Sequence, residues 1–249
     1  MIYIIGYGAM ARAIAKGLDG KKDFCVVGRN ENKLKEFSKE FSCKYFLIDG
    51  FDITNKNILL AIKPYALGEV SMRIKGEANI LISILAGKNL IELQRIKSKA
   101  YIRAMPNIAA KYSFSSTAIT GDEVAKEFAI DIFKNIGEVI WLDSDDEIDM
   151  ATAIIGSGPA FLAIIAEAIS DGGVYIGLNR EKSNKLTKML FKSFASLKED
   201  FYLIKNEVMS PKGTTAEGIN SLEEDGIRGK ILKAIIKTYN KSKKINNLF

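Results

Sequence analysis

The sequence predicts an α/β protein with an N-terminal parallel-sheet domain followed by an all-helical domain. Up to about residue 143, short β-branched runs alternate with helical patterns, as in a sheet built from β–α–β units. From Ser144 onward the strand signals stop, and apolar residues recur at helical spacing. A chain of 249 residues, 47% of them hydrophobic, can form two modest cores. We therefore assign residues 1–145 to the sheet domain and residues 146–249 to the helical domain.

The individual elements follow from the same patterns. A helical face lies between the first two strands, so the chain opens with a strand, a tight turn, a helix and a second strand. The predicted strands are Ile2–Ile5, Phe24–Val27, Lys44–Phe46, Ile58–Ala61, Ile80–Ile84, Ala100–Arg103, Ser116–Thr120 and Glu138–Leu142. The predicted helices of the second domain are Ile148–Ser170, Arg180–Phe201, Ser210–Leu222 and Gly226–Lys241.

The composition excludes several classes of chemistry. The chain has no histidine, which removes Ser-His-Asp and Cys-His nucleophiles, imidazole zinc sites and dehydrogenases that use a histidine acid or base. Its two cysteines, Cys25 and Cys43, form no CxxC pair, so we interpret both as packing residues and predict no metal site. The N-terminal residues lack the features of a signal peptide, which predicts a cytoplasmic protein.

The net charge of +6 does not point to nucleic acid, because lysines alternate with acidic residues along most of the chain. The only concentrated basic stretch contains Lys237, Lys241, Lys243 and Lys244. We interpret it as a solvated helix end rather than as an arm that binds a polyanion. The sequence therefore predicts no nucleic-acid partner.

The first helix of the second domain is apolar nearly all round, with no charged residue from Met150 to Ala166. Gly156, Ser157, Gly158 and Pro159 interrupt this short stretch, which argues against a membrane span. A helix that is apolar on every side of a soluble protein must be covered on every side, and a second copy of the chain can provide the cover. We therefore predict a homodimer that forms through the C-terminal helices, with a higher homo-oligomer as the alternative and with no membrane segment.

A glycine-rich turn follows the first predicted strand and opens the first helix. In a Rossmann-type domain the first glycine permits the turn, the second lets the backbone approach a pyrophosphate, and the helix start offers free N–H groups. An alanine at the third position still allows close packing against the strand. The residues predicted to contact a dinucleotide here are Gly6, Tyr7, Gly8, Ala9, Met10 and Ala11.

The end of the second strand indicates which nicotinamide cofactor is used. A carboxylate there would hold the ribose 2′-hydroxyl of NADH, but this chain has Arg29 and Asn30 instead. Both side chains can hold a 2′-phosphate through charged and neutral hydrogen bonds. The sequence therefore favours NADPH, with NADH as the less favoured possibility.

Seven short motifs recur in the order and spacing of pyrroline-5-carboxylate reductases, so the chain resembles that family over almost its whole length. The motifs are GYGAMA at 6–11, AIKP at 61–64, SILAG at 83–87, RAMPN at 103–107, GSGPAF at 156–161, DGG at 171–173 and SPKGTT at 210–215. The resemblance implies reduction of 1-pyrroline-5-carboxylate to L-proline, the last step of proline biosynthesis, by hydride transfer from NADPH to the C=N carbon. The protein then mainly supplies orientation and electrostatics.

The SPKGTT motif carries the predicted substrate site. We expect Ser210 to cap a helix with Pro211 at its first position, which leaves backbone N–H groups exposed to an anion. The resemblance implies that Ser210, Gly213 and Thr214 present amides to the substrate carboxylate. It also places the hydroxyl of Thr215 near the ring nitrogen, and we therefore assign the catalytic role to Thr215.

Three further segments follow predicted strands and are expected to reach the cofactor. The resemblance implies contact at 85–87, whose small residues leave room for the nicotinamide ring. Lys63 either contacts the cofactor through its backbone or is a solvated turn residue, and Asn107 either binds the cofactor amide or caps a turn. The residues in these segments are Ala61, Ile62, Lys63, Pro64, Leu85, Ala86, Gly87 and Asn107.

The chain departs from the family pattern at three positions. Lys212 stands where the family usually has glycine, and Ile108 and Ala109 stand where it has Thr-Pro. Two other functions stay open. A β-hydroxy-acid dehydrogenase would need a lysine and an asparagine one helical turn apart in the second domain, a spacing that neither Lys182 with Asn184 nor Lys205 with Asn206 has. A noncatalytic dinucleotide-binding regulator could keep the same fold.

Overall fold

The computed structural model describes residues 1–246, with side chains up to residue 243, so the side chain of Lys244 lies outside it. The chain divides into two compact units. The first comprises Met1–Ser157 together with Thr238–Phe249, and the second comprises Gly158–Lys237. The domain limits expected from the sequence, 1–145 and 146–249, stay a prediction.

The first unit is built on an eight-stranded sheet with the strand order β10-β9-β8-β7-β5-β1-β2-β3. Two further strands, β4 and β6, pair with each other in a small separate sheet. The strands are β1 (Ile2–Ile5), β2 (Phe24–Gly28), β3 (Lys44–Leu47), β4 (Phe51–Asp52), β5 (Asn57–Leu60), β6 (Ile74–Lys75), β7 (Ile80–Ser83), β8 (Tyr101–Met105), β9 (Ser115–Gly121) and β10 (Gly137–Trp141).

The large sheet is parallel from β3 to β8, but β9 runs antiparallel to β8, and β10 runs parallel to β9. The connection between β8 and β9, residues 106–114, is too short for a parallel crossover. It contains only a 3₁₀ helix, Ile108–Tyr112. The predicted combination of a Rossmann-type sheet and a helical region is confirmed, with two strands at one edge reversed.

Helices cover both faces of the sheet, because neighbouring residues of each strand point to opposite sides. Ile4 and Leu59 belong to one buried cluster, whereas Ile5 and Leu60 belong to the other. The helices of this unit are α1 (Ala9–Leu18), α2 (Glu31–Phe41), α3 (Leu67–Arg73), α4 (Leu90–Leu93), α5 (Lys126–Phe133) and α6 (Asp145–Ala151).

A cluster of charges around the buried Arg103 fixes the start of α6 to the sheet. Arg103 of β8 is 2% exposed and donates hydrogen bonds to Asp145 and, at 3.1 Å, to Asp149. Asp145 also accepts from the backbone N–H of Leu90 at 2.9 Å. A single arginine therefore joins a central strand to the helix that leads out of the sheet.

The helix predicted over 148–170 is not continuous. After α6 the backbone changes to a π-helical segment, Thr152–Gly156, before α7 begins in the second unit. Pro159 explains the break, because it has no N–H and its ring clashes with the carbonyl four residues earlier. Residues 145–175 are long and apolar enough to cross a membrane by length and composition alone. Within this segment the π-helical turn interrupts the regular α-helix.

The second unit consists of helices. They are α7 (Gly158–Tyr175), α8 (Arg180–Phe194), α9 (Phe201–Val208), α10 (Thr214–Glu224) and α11 (Ile227–Asn246), the last of which continues into the first unit. The helix predicted over 180–201 ends at Phe194, and α9 was not predicted. The predicted cap at Ser210 with Pro211 at the first helical position is wrong, because α10 begins at Thr214 with Gly213 as its N-cap.

Candidate functional site

A cleft of about 930 Å³ opens in the first unit where the carboxyl ends of β1, β2, β5 and β8 meet the start of α1. Ligands of open α/β sheets bind in such crevices outside the carboxyl ends of the strands. The cleft is lined by the glycine turn after β1 and by residues that follow β2, β5, β7 and β8. It is therefore the place in the sheet unit where a dinucleotide is expected.

The glycine turn has the two features of a nucleotide-binding backbone: a tight turn at Gly6 and open space at Gly8. Gly6 has φ +125°, and a Cβ there would lie 2.3 Å from the carbonyl oxygen of Ala61. At Gly8, which caps α1, a Cβ would meet no atom of the described residues within 4 Å. Gly8 has no side chain to cap the helix, so the first N–H groups of α1 have no side-chain cap. The open space at Gly8 fits a pyrophosphate held by backbone amides and the helix dipole.

Beside β2 the cleft is lined by the ring of Tyr7, which packs over Gly28. A Cβ on Gly28 would lie 2.6 Å from that ring, so no larger residue fits without moving it. Arg29 follows and is well exposed. Hydrogen bonds to the hydroxyl oxygen of Tyr7 and to the carboxylate of Glu69, with the charge of Glu69, raise the pKa of Arg29 above its usual value.

Asn30 has a structural task beside Arg29. Its side-chain oxygen accepts from the backbone N–H of Lys33 at 3.0 Å and caps α2. The amide nitrogen of Asn30 is the group left for the predicted phosphate contact. Lys33 lines the cleft, with its ammonium 5.8 Å from the centre of the Tyr7 ring.

Asn107 performs one of the two roles that the sequence left open, the cap of a turn. It lines the cleft, and its side-chain oxygen accepts from the N–H of Ala109 at 3.0 Å, which caps the 3₁₀ helix after β8. The oxygen is thus engaged, while the amide nitrogen can still donate to a ligand. Lys63 lies at the N-cap of another 3₁₀ helix, Pro64–Ala66, and also lines the cleft.

The structure brings most predicted cofactor residues of the sheet unit to this one cleft. The lining includes Gly6, Tyr7, Gly8, Ala9, Met10, Arg29, Ala61, Ile62, Lys63, Ala86 and Asn107. Five other predicted cofactor residues do not line the cleft. They are Ala11, Asn30, Pro64, Leu85 and Gly87. Ala11 and Leu85 are buried in the two cores, where they support the turns that carry their neighbours.

Sequence reasoning missed several lining residues. Glu69 and Arg73 reach the cleft from α3, where they form an ion pair one helical turn apart. Nothing in the local sequence marks them as site residues. Thr152 and Ser157 come from the π-helical segment and its end. The interruption of the apolar helix by Gly156 was a usable signal, since π-helical turns are frequent at functional sites.

The predicted substrate residues lie in the helical unit. The carbonyl of Ser210 accepts from the N–H of Gly213 at 3.0 Å, which closes a tight turn with Lys212 at φ +59°. A Cβ on Gly213 would lie 2.3 Å from the Ser210 hydroxyl, so a larger residue here would require the Ser210 side chain to move. Thr214 and Thr215 form the first turn of α10, whose N-cap has no side chain to satisfy the free amides.

Among the residues that the structure describes, no group of three or more histidine, cysteine, aspartate or glutamate side chains is arranged to hold a metal ion. The thiols of Cys25 and Cys43 have pKa values raised first by burial, so both are poor thiolate ligands at neutral pH.

The parallel sheet, the glycine turn and the cleft above it together define a dinucleotide-binding protein. Residues 1–87 match the family described as NADP oxidoreductase coenzyme F420-dependent, and residues 145–245 match the family described as pyrroline-5-carboxylate reductase dimerisation. The chain is 36% identical over 247 residues to pyrroline-5-carboxylate reductase of Helicobacter pylori strain J99, covering 94% of this chain and 95% of that protein. This chain belongs to the pyrroline-5-carboxylate reductase family.

Solved structures agree with this assignment. The 1-pyrroline-5-carboxylate reductase of Streptococcus pyogenes superposes with a TM-score of 0.84 at 26% identity, covering 98% of each chain. The pyrroline carboxylate reductase of Plasmodium falciparum, solved with NADP bound, gives a TM-score of 0.80 at 25% identity, covering 98% of this chain and 97% of that one. The family resemblance inferred from the seven motifs is confirmed, and the chain is an oxidoreductase of an NADP-dependent family.

Proposed function

We propose that this chain reduces 1-pyrroline-5-carboxylate to L-proline in the cytoplasm, with NADPH favoured over NADH. The observation that carries the proposal is the cleft at the glycine turn, in a chain that matches reductases of this substrate over nearly its full length. The open space at Gly8 and the close approach at Gly6 are what a dinucleotide requires. When bound, the nicotinamide supplies the hydride that reduces the C=N carbon.

The sheet unit would hold the cofactor in three places. Backbone amides from Gly8 to Met10 at the start of α1 would bind the pyrophosphate. Arg29, with the amide nitrogen of Asn30, would bind the 2′-phosphate beside the end of β2. The amide nitrogen of Asn107 would donate to the nicotinamide carboxamide oxygen. Lining residues such as Ala86 leave room for the nicotinamide ring.

The helical unit would hold the imino acid. The backbone N–H groups at the start of α10, beginning with Thr214, would form an anion site suited to the substrate carboxylate, whereas the Gly213 N–H is already bonded to the Ser210 carbonyl. Ser210 contributes the turn that presents them. The hydroxyl of Thr215 would hydrogen-bond the ring nitrogen and hold its proton in place during reduction. No strong side-chain acid is needed, because a protonated imine carbon is already electrophilic.

We also propose that the chain acts as a homodimer that forms through its C-terminal helices, without a membrane segment or a nucleic-acid partner. The match of residues 145–245 to a dimerisation family supports this assembly. Apolar side chains along α7 and α8 are exposed in the single chain, among them Leu162, Ile164, Leu186 and Met189. Exposed apolar area of this kind typically marks an interface.

The decisive experiment follows the loss of NADPH absorbance with 1-pyrroline-5-carboxylate. Parallel reactions use NADH in place of NADPH, and a series of 2-hydroxy acids with NADP⁺. Rapid NADPH oxidation with the imino acid, without turnover of the hydroxy acids, is the expected result. Turnover of hydroxy acids would identify a β-hydroxy-acid dehydrogenase. Tight NADPH binding without any turnover would identify a noncatalytic regulator, the second candidate for this fold.

A further inference from the structure

A chain of ion pairs crosses the part of the cleft beside β2. One terminal nitrogen of Arg29 lies 3.3 Å from each carboxylate oxygen of Glu69. Glu69 also binds Arg73 at 3.1 Å, and Arg73 binds Asp49 at 2.9 Å. The cleft is lined by Arg29, Glu69 and Arg73 but not by Asp49. A carboxylate therefore lies against the arginine that would bind a 2′-phosphate.

Glu69 supplies from α3 the kind of group that the end of β2 lacks. In NADH-dependent sheets of this type, an acidic side chain accepts a hydrogen bond from the ribose 2′-hydroxyl. Here the residue after β2 is Arg29, but the Glu69 carboxylate lies 3.3 Å from its guanidinium and lines the same cleft. The site thus contains one group that favours a 2′-phosphate and one that favours a free 2′-hydroxyl.

The two groups oppose each other electrostatically. A 2′-phosphate must compete with Glu69 for Arg29, and it must also approach a like charge. A ribose hydroxyl carries no charge and can donate to the carboxylate without displacing the ion pair. Arg29 and Glu69 are 63% and 39% exposed, so the competition shifts affinity modestly rather than by orders of magnitude.

We propose that Glu69 is a specificity-determining residue. It reduces the factor by which this chain binds NADPH more tightly than NADH. It competes with the 2′-phosphate for Arg29 and accepts a hydrogen bond from the 2′-hydroxyl of NADH. The proposal rests on the nucleotide-binding part of the proposed function and does not depend on the identity of the imino acid.

The test measures the dissociation constants of NADPH and NADH by titration of nicotinamide fluorescence, without a second substrate. The variant is Glu69→Gln, which keeps the shape of the side chain and removes its charge. NADPH is expected to bind about threefold more tightly, and NADH equally or less tightly, so the ratio of the two constants shifts about threefold or more toward NADPH. An unchanged ratio, or a shift toward NADH, overturns the proposal.

Asp49→Asn is the matched control. It removes one negative charge from the same series of ion pairs, but Asp49 does not line the cleft. Its ratio of dissociation constants is expected to stay within about 1.5-fold of the wild-type ratio, since exposed charges act weakly at a distance. An equal shift in both variants would show a general charge effect and overturn the role of Glu69. Because binding is read directly, a chain that binds both nucleotides but reduces no imino acid would refute the proposed reaction and leave this test intact.

Discussion

Thr215 is the residue to which the proposed mechanism assigns chemistry. In Thr215→Val the hydroxyl is lost while the shape is retained, so the ring nitrogen loses its hydrogen-bond partner. We expect kcat to fall about 100-fold, in the range of a single positioned proton-handling group. The dissociation constant of NADPH should change less than twofold, because the nucleotide site in the sheet unit is untouched. Steady-state kinetics and a nucleotide titration measure the two quantities.

Thr215→Ser is the control, because serine keeps the hydroxyl. It should retain most of the turnover that Thr215→Val loses. If the valine variant turns over as fast as the wild type, the hydroxyl has no part in the reaction, and another group must act on the nitrogen.

Gly8 and Gly6 lie two residues apart but forbid a side chain for different reasons. A Cβ at Gly8 has free space within the described chain, whereas one at Gly6 meets the Ala61 carbonyl. We therefore expect Gly8→Ala to keep its melting temperature within a few degrees and to bind NADPH at least tenfold more weakly, because the methyl group occupies the space for the pyrophosphate. Thermal unfolding and nucleotide titration distinguish the two effects.

Gly6→Ala should lower both the melting temperature and the affinity for NADPH. The φ of +125° and the 2.3 Å approach of a Cβ to the Ala61 carbonyl oxygen would force the backbone to move. Wild-type affinity for NADPH in Gly8→Ala would mean that the nucleotide phosphates lie elsewhere in the cleft.

Lys212 carries the backbone strain that a glycine would relieve. Its φ of +59° lies in the left-handed region, in the tight turn between Ser210 and Gly213. Ala and Gly both remove the ammonium, but only glycine adopts this conformation freely. We expect Lys212→Gly to be more stable than Lys212→Ala by about 1 kcal/mol, as measured by urea unfolding. Equal stabilities would show that the turn adjusts to a side chain without strain.

At the scale of elements, the connection between β8 and α6 depends on Arg103. Replacing it by methionine removes this partner from the buried carboxylate of Asp149 and from the partly exposed carboxylate of Asp145. Removing one partner of a buried pair costs about 3 kcal/mol or more. We expect Arg103→Met to lower the free energy of unfolding by that amount in urea titrations.

Arg180→Met provides the comparison, because Arg180 and Asp171 form an ion pair whose side chains are 53% and 67% exposed. Its loss should cost less than about 1 kcal/mol. Similar losses in the two variants would contradict the view that the buried arginine fixes α6 to the sheet.

Elements with strong periodicity could be predicted from the sequence, and elements set by tertiary contacts could not. The strands of the large sheet were found within a residue or two because each is a short apolar run between turn residues. The reversal of β9 depends on the length of a connection, and the start of α10 depends on a turn that uses Lys212 at positive φ. Hydrophobic periodicity reveals neither the direction of β9 nor the conformation of the turn at Lys212.

The same distinction applies to the candidate site. Gly6, Gly8 and Arg29 follow strand ends in a recognisable motif, so their meeting in one cleft could be anticipated. Glu69 and Arg73 arrive from a short helix whose sequence has no nucleotide-binding pattern. Their contribution is a matter of distance in space, and a single sequence gives no measure of that distance.

At the scale of the whole molecule, exposed apolar surface is the feature that still lacks a partner. Only 17% of the most apolar window in Asp145–Tyr175 is buried within the chain. Large apolar side chains continue along α8, with Leu186, Met189 and Leu190 about half exposed. A soluble monomer rarely keeps a contiguous apolar area of this size. A second copy that packs against α7 and α8 would remove it from water, as the match to a dimerisation family suggests.

Ile164→Glu tests this assembly. Ile164 of α7 is 65% exposed in the single chain, and a buried glutamate without a partner in an interface is strongly unfavourable. We expect the variant to elute as a monomer in size-exclusion chromatography with light scattering, whereas the wild type elutes as a dimer. Val124→Glu is the control, because Val124 is 86% exposed in the sheet unit, outside the proposed interface, and should leave the dimer intact. A dimeric Ile164→Glu variant would place the contact on another face of the helices.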